Sequence, residues 1–495
     1  MNNDEHKQPP SAGDMPTEEF RSSGHDVIDW VSDYFDRLEE LPVLPTVKPG
    51  QIKNSLPQSP PLQGQRMEEI LADIDPLIMP GMTHWNHPRF FAYFTSSASS
   101  PGILADIYSA AFSVNGMIWQ TGPVVTELEQ VTLSWLRQMI GLPEEYWGII
   151  YDTASISTMH AFVAAREQAG DLHIREQGMS GRTDLPKLRM YASEFAHSSI
   201  DKAAITLGFG LDGVRKIPVD DSFQMIPEAL EEAIQEDRRR GIRPFCVTAT
   251  VGTTSCTSID PVPRIADICE SENLWLHVDA AHGGTAAIIP EMQYILNGCN
   301  RADSLVINPH KWMAVPVDLS AFYTRKPAVL KQAFSLIPEY LRTQADSEVE
   351  NLMDYGLQLG RRFRALKLWF VIRYFGWEGL AARFREHIRL AREAASWIKN
   401  DPEFELMAPV PLSTICFRAH PKDIQSETEL NAFNERLMHT VNKTGKAYLS
   451  HTKLKGDYVI RLVVSHLRVR EEDVRSVWHI IKEEAEKQKQ SLRTK

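Results

Sequence analysis

The chain has 495 residues, 43% apolar and 24% charged, with 53 Lys and Arg against 65 Asp and Glu and a net charge of −12. That size predicts about three lobes, while the acidic balance argues against a nucleic-acid binder, no apolar run approaches the roughly 18 residues of a membrane span, and the start Met1-Asn-Asn-Asp-Glu-His-Lys7 lacks signal-peptide features. The five cysteines, Cys246, Cys256, Cys269, Cys299 and Cys416, form no Cys-x-x-Cys pair, so no disulfide framework and no metal site is expected, and a reduced, cytoplasmic setting is the simplest reading.

In chain order, residues 1–16 are polar and read as extended or disordered. Phe20, Val27, Trp30, Val31, Tyr34, Phe35 and Leu38 recur at three- and four-residue steps and predict an amphipathic helix. Leu41 to Pro61 carries six prolines, so it is expected to be non-helical, an extended arm lying on something else, a second copy of the chain being one candidate. From about residue 100 to 325, short apolar runs (Gly148–Tyr151, Phe245–Val251, Leu274–Val278, Ser304–Ile307) alternate with helical stretches, which predicts an α/β fold with a mostly parallel sheet covered on both faces. Pro227 opens one of these helices, Arg238 to Arg240 fill its last turn, and Gly241 follows. A long amphipathic helix is expected over about 356–395, then a small α+β lobe containing a Tyr458–Val464 strand, with a fraying tail after about 480. The divisions drawn are 1–98 (helical arm, packing on a partner subunit), 99–368 (large α/β domain) and 369–495 (small α+β domain). Gly208-Phe-Gly210-Leu-Asp-Gly213 fits a dinucleotide fingerprint, but it follows a helix and precedes a strand, the reverse of the required order, so it reads as a helix-ending turn.

Chemistry concentrates at predicted strand ends. Asn308-Pro-His-Lys311-Trp312 follows an apolar strand, and flanking Pro309, His310 and Trp312 give Lys311 a stiff, partly apolar setting that favours a nucleophilic amine over a solvated ammonium. Such a lysine suggests a Schiff base with a carbonyl substrate or with pyridoxal phosphate. Asp279 ends the run Leu274–Val278, one strand–helix–strand step before Lys311; it is either a turn cap or the carboxylate that keeps a pyridine nitrogen protonated. Asp152-Thr-Ala154-Ser155 between a strand and a helix is either a plain N-cap or a phosphate seat. His197, in Ala196-His-Ser-Ser199, is a structural histidine or a flat ring that stacks on a cofactor.

Taken together these residues resemble the group II pyridoxal-phosphate decarboxylases, most closely the aromatic-L-amino-acid decarboxylases, over roughly residues 20–480. His87-Pro-Arg-Phe-Phe-Ala-Tyr-Phe94, Thr126-Glu-Leu-Glu129 and Leu359-Gly-Arg-Arg-Phe-Arg-Ala-Leu-Lys-Leu-Trp369 carry the likeness further. The resemblance implies the fold-type I architecture, a homodimer with shared active sites, and decarboxylation of an aromatic L-amino acid. It implies Lys311 as the Schiff-base lysine, Asp279 as the ring-nitrogen partner with Ala281 against the ring, and His197 stacked on it. Ala154, Ser155, Thr254, Asn308 and His310 fall on the phosphate side. Trp85, Tyr93, Phe94 and Thr95 form the substrate wall, and Tyr340 is the mobile-loop proton donor of true decarboxylases, where aldehyde-forming relatives carry Phe. Asn115 and Met117 stand where relatives place larger residues that reach the partner's pocket, and Gly360 tends to accompany indolic substrates. Two further departures stand out: Asp152 and Ile156 where relatives have Gly and Glu, and a lid about two residues shorter. The rival readings are an aromatic acetaldehyde synthase, opposed by Tyr340 and His197; a decarboxylase of acidic amino acids, opposed by the aromatic wall; and a silent pyridoxal-phosphate-binding homologue.

Overall fold

The structure, a computed structural model, describes residues 13–336 and 348–493. The first apolar stripe forms α1 (Thr17–Asp36), followed by the short α2 (Gln51–Ser55) and α3 (Met67–Ala72). α2 corrects the expectation of a helix-free arm: five residues fit between Pro49 and Pro57, where no proline interrupts the turn. The larger body runs α4 (Ser100–Phe112), α5 (Pro123–Met139), β1 (Trp147–Tyr151), α6 (Ala154–Gln168), α7 (Ile174–Gln177), β2 (Leu188–Ser193), α8 (Ser199–Thr206), β3 (Val214–Ile217), α9 (Pro227–Arg239), β4 (Arg243–Thr250), α10 (Val262–Glu272), β5 (Trp275–Asp279), β6 (Ser304–Ile307), α11 (Pro309–Trp312), β7 (Ser320–Thr324) and α12 (Pro327–Phe334). Then come α13 (Ala365–Asn400), β8 (Phe404–Leu406), β9 (Thr414–Ala419), α14 (Glu427–Lys443), β10 (Ser450–Leu454), β11 (Asp457–Val463) and α15 (Glu471–Arg493).

The large sheet has the order β1-β7-β6-β5-β4-β2-β3, with β2 to β6 mutually parallel and β7 antiparallel to both β1 and β6. A second sheet, β10-β11-β9-β8, is antiparallel throughout. The two-residue period of a strand decides what each face sees. On β5, Leu276 and Val278 enter the core beneath α5, α9, α10 and α13, while Trp275 joins Phe162 of α6 on the other face. His277, Nε2 3.4 Å from Thr158 Oγ1 of α6, and then Asp279 follow Trp275 by twos, so the carboxylate emerges on the α6 face. The glycine turn at 208–213 lies between α8 and β3, as its sequence order requires.

Three expectations need correction. The long helix starts at Ala365, not near 356, because tertiary bonds hold the preceding residues in a loop: Leu357 N–H donates to His160 Nε2 (3.3 Å) and Arg361 N–H to Asn115 Oδ1 (2.9 Å). The helix is also broken at Gly376, whose φ of 66° is open to glycine at little cost. The division drawn at 368/369 falls in the first turn of this same helix, which packs on α4 and α5 at one end and on β8, β9 and α15 at the other. Finally, α15 continues to Arg493 rather than fraying near 480, supported by a stripe of Val474, Val477, Ile481 and Ala485 in the small-sheet core and by pairs such as Lys487–Glu483 (2.9 Å).

Candidate active site

The site forms where β5 and β6 end side by side. Asp279 is the last residue of β5 and is buried; its Oδ1 accepts from Ala281 N–H (3.1 Å), and Ala281 C=O accepts from Asn308 N–H (2.9 Å), tying the two strand ends together. Asn308 caps α11, whose third residue is Lys311. Burial pushes the Lys311 amine below the ordinary lysine value, with Asp279 opposing the shift, so the two groups share one electrostatic environment. Its Nζ stands 5.2 Å from the centroid of the Phe94 ring.

Around this pair the sequence-predicted groups assemble from separate elements. Ala154 and Ser155 form the first turn of α6, with Thr153 as N-cap, and Ser155 is exposed. Asp152 turns toward its own backbone: Oδ1 accepts from Thr153 N–H (2.5 Å) and Thr153 Oγ1–H (3.1 Å), and Oδ2 from Gln358 Nε2–H (3.1 Å). Thr254, also exposed, lies in the loop after β4. That loop abuts the turn after Asp279 because two glycines permit it: a Cβ on Gly283 would stand 2.6 Å from Val251 C=O, and Gly252 has φ +91°. His197 precedes α8; Ser199 N–H donates to its Nδ1 (3.1 Å), which places the proton of the neutral ring on Nε2. Burial lowers the His197 pKa, and Asp279 and Lys311 act on it in opposite directions, which puts it in their company.

The donors fit a phosphorylated pyridoxal. His310 is held neutral, its pKa lowered to about 4, first by burial and then by Lys311. Its Nδ1 accepts from Leu319 N–H (2.9 Å), so the ring proton is on Nε2, 3.4 Å from the Asn308 side-chain amide. The amide oxygen must face that donor. The Asn308 NH2 then occupies the buried position that has no partner among the described residues, a donor waiting for an anion. Asn308, exposed Ser155 and Thr254 and the α6 amino terminus would hold the phosphate; Lys311 would hold the carbonyl carbon and Asp279 the ring nitrogen.

The substrate-wall residues divide. Phe94 faces Lys311, and Thr95 is buried with a hydroxyl that has no partner among the described residues. Tyr93, at φ 54°, turns the other way: its hydroxyl pairs with that of Tyr448 (2.9 Å) and its ring lies 5.9 Å from that of Trp85. Asn115, Met117 and Gly360 gather elsewhere, beside β1 and α5. A Cβ on Gly360 would sit 3.7 Å from Asn115 Nδ2, while Arg361 Nη2–H donates to Glu129 (2.6 Å) and to Ile150 C=O (3.1 Å). This explains the spacing of two quoted motifs: Thr126-Glu-Leu-Glu129 and Gly360-Arg-Arg362 supply the two halves of one buried ion pair. Tyr340 lies outside the described residues.

Two groups were missed by sequence reasoning. His282 is stacked between Phe94 (3.7 Å, 9°) and Trp312 (4.8 Å, 8°). Arg461 of β11 is buried with its guanidinium carbon 5.5 Å from the Phe94 centroid. A lone charge inside the apolar run Tyr458-Val-Ile-Arg-Leu-Val-Val464 was the signal for the latter.

The chain matches the pyridoxal-dependent decarboxylase conserved domain over residues 49–420. It is 38% identical over 479 residues to aromatic-L-amino-acid decarboxylase of Sus scrofa, with 94% of this chain and 96% of the relative covered. It is 37% identical over 482 residues to phenylacetaldehyde synthase of Arabidopsis thaliana, covering 95% and 96%. The crystal structure of Oryza sativa TDC with PLP and tryptamine superimposes with a TM-score of 0.92 at 36% identity, covering 97% of this chain and all of that one.

Proposed function

We propose, from the fact that this chain belongs to the pyridoxal-dependent decarboxylase family, that it converts an aromatic L-amino acid to the corresponding arylalkylamine and carbon dioxide. One observation carries the reading: a half-buried lysine whose amine faces an aromatic ring, with a buried carboxylate at the end of the adjacent parallel strand. When bound, pyridoxal phosphate supplies an electron-withdrawing ring that takes up the electron pair left by the departing carboxyl group. Lys311 would hold the cofactor's carbonyl carbon, and its lowered pKa keeps the amine nucleophilic. Asp279 would hold a proton on the pyridine nitrogen, and His197 would cover the ring. Ala154, Ser155, Thr254 and Asn308 would fix the phosphate, with His310 orienting the Asn308 amide. Tyr340 returns a proton to the α-carbon, which separates this reading from aldehyde synthesis, where no such donor hydroxyl is present.

Phe94 and Thr95 wall the substrate ring from this chain, Trp85 and Tyr93 having turned toward Tyr448, and Asn115, Met117 and Gly360 of a second subunit complete the wall. The exposed apolar face of α4, with Leu104, Ile107, Tyr108 and Phe112 (60% exposed), supports a homodimer, as does the uncovered start of α1 at Phe20, Val27 and Ile28. The absent side chain at Gly360 favours an indole over a phenol. Five free, buried cysteines suit a cytoplasmic setting, and no helix among the described residues is long and apolar enough to cross a membrane. Incubating the holoprotein with each of the twenty L-amino acids, with mass detection of products, tests the function. Amine from one or more aromatic substrates is expected; aldehyde as the main product, or turnover of acidic substrates alone, contradicts it.

A further inference from the structure

Three histidines outside the lysine site share one wiring. His87 lies between α3 and α4, His387 in α13 and His466 just after β11, and all three rings are fully buried. Each Nδ1 accepts from a group that can only donate: Arg89 N–H for His87 (2.9 Å), the Trp312 indole N–H for His387 (2.8 Å) and Arg468 N–H for His466 (3.0 Å). Burial lowers all three pKa values, to about 4 for His87 and about 3 for His387, so the rings are neutral near pH 7. A neutral ring that accepts at Nδ1 carries its proton on Nε2. All three Nε2 atoms are buried with no partner among the described residues. Enclosed N–H donors without an acceptor call for one.

The rings come from segments that are bonded together. Val463 N–H of β11 donates to Phe91 C=O (3.0 Å) and Leu467 N–H to Ser97 Oγ (3.2 Å), which lays the His466 segment along the one that follows His87. Beyond burial, Arg468, His387, His87 and Arg383 of α13 all act on the His466 ring, and each lowers its pKa further. The surroundings are thus rich in donors and positive charge. The His466 backbone acts the other way on His387, but its carbonyl already accepts from Val469 N–H (3.2 Å).

We propose that the Nε2–H groups of His87, His387 and His466 together hold one small inorganic anion, chloride by size and charge. A metal ion does not suit these rings. A ligating histidine donates from its second nitrogen and offers a lone pair from the first, and here that polarity is reversed. Water suits them less well than an anion, because it brings two protons of its own to three rings that cannot accept them. Full burial of all three rings admits a monatomic ion more readily than a tetrahedral oxyanion. The anion joins the segment before α4, α13 and the end of the small sheet. His387 also holds the indole of Trp312, so occupancy steadies α11, the turn that carries Lys311. The site stands apart from the function proposed above and does not depend on it.

Bromide, which scatters X-rays anomalously and stands in for chloride in charge and nearly in size, is the probe. In a crystal of the holoprotein soaked with bromide, an anomalous peak in hydrogen-bond contact with at least two of the three Nε2 atoms is expected. Water alone in that space, no density there, or bromide only at other places overturns the assignment. In solution, the melting temperature of the holoprotein should rise saturably, by about 1–3 °C, when chloride replaces gluconate at constant ionic strength. His466→Phe, which keeps a flat ring and removes the donor, should lose that rise. No rise in the wild type, or a full rise in the variant, contradicts the proposal. Should the variant not fold, the bromide crystal of the wild type decides alone.

Discussion

The floor of the site and its aromatic wall are built on different terms. The floor, at the ends of β5 and β6, is complete within one chain: Asp279, Ala281, Asn308, His310 and Lys311 are joined by backbone and side-chain hydrogen bonds and lie at the ends of neighbouring parallel strands. The wall is dispersed. Phe94 meets Lys311, Tyr93 faces Tyr448, and Asn115, Met117 and Gly360 collect beside β1. A floor fixed by strand geometry and a wall shared between segments, and in our proposal between subunits, leave cofactor chemistry constant while the substrate pocket stays adjustable.

The contrast breaks most sharply at Lys311. Replacing it with Ala should lower turnover at least ~10^3-fold and abolish cofactor absorbance from the tethered form, as read by carbon dioxide release and a visible spectrum. Tyr340→Phe should cut amine formation about 10^2-fold and raise aldehyde, hydrogen peroxide and ammonia in oxygen; an unchanged product ratio removes Tyr340 as donor. Glu129→Gln strands the buried Arg361 and should cost roughly 3–5 kcal/mol by chemical denaturation, while Lys311 spectroscopy is altered far less. Gly360→Ser, whose new Cβ meets Asn115 at ordinary contact distance, should leave stability intact and shift the preference between indole and phenol substrates about tenfold in kcat/KM.

The smallest effect concerns the whole interior. His87, His277 and His310 are buried with pKa values lowered to about 4, each chiefly by burial. Between about pH 6.5 and 4 the unfolded chain therefore binds more protons than the folded one, so stability falls as pH drops through that window. A melting temperature lower on the order of 5 °C at pH 5 than at pH 7 is expected; a flat profile would mean that the folded histidines take up protons freely.

What the sequence disclosed follows the same division. The parallel strands announced themselves as apolar runs, and the residues after them, Asp279 and Lys311, stood out because strand ends impose position. Longer-range choices were hidden. Nothing in residues 356–364 signals that Asn115 and His160 will hold them out of a helix, and the pairing of Glu129 with Arg361 joins positions far apart in the chain. The outward turn of Tyr93 depends on a left-handed backbone at a non-glycine residue, which local preference disfavours. Arg461 was visible as a lone charge in a strand, but its nearness to Phe94 required the small sheet to be placed against the large one.

One chemical experiment bears directly on the central claim. Holoprotein treated with borohydride, digested and sequenced by mass should carry a reduced phosphopyridoxyl group on the side chain of Lys311. Label on another lysine, or none on a protein that still releases carbon dioxide from aromatic amino acids, would contradict the account.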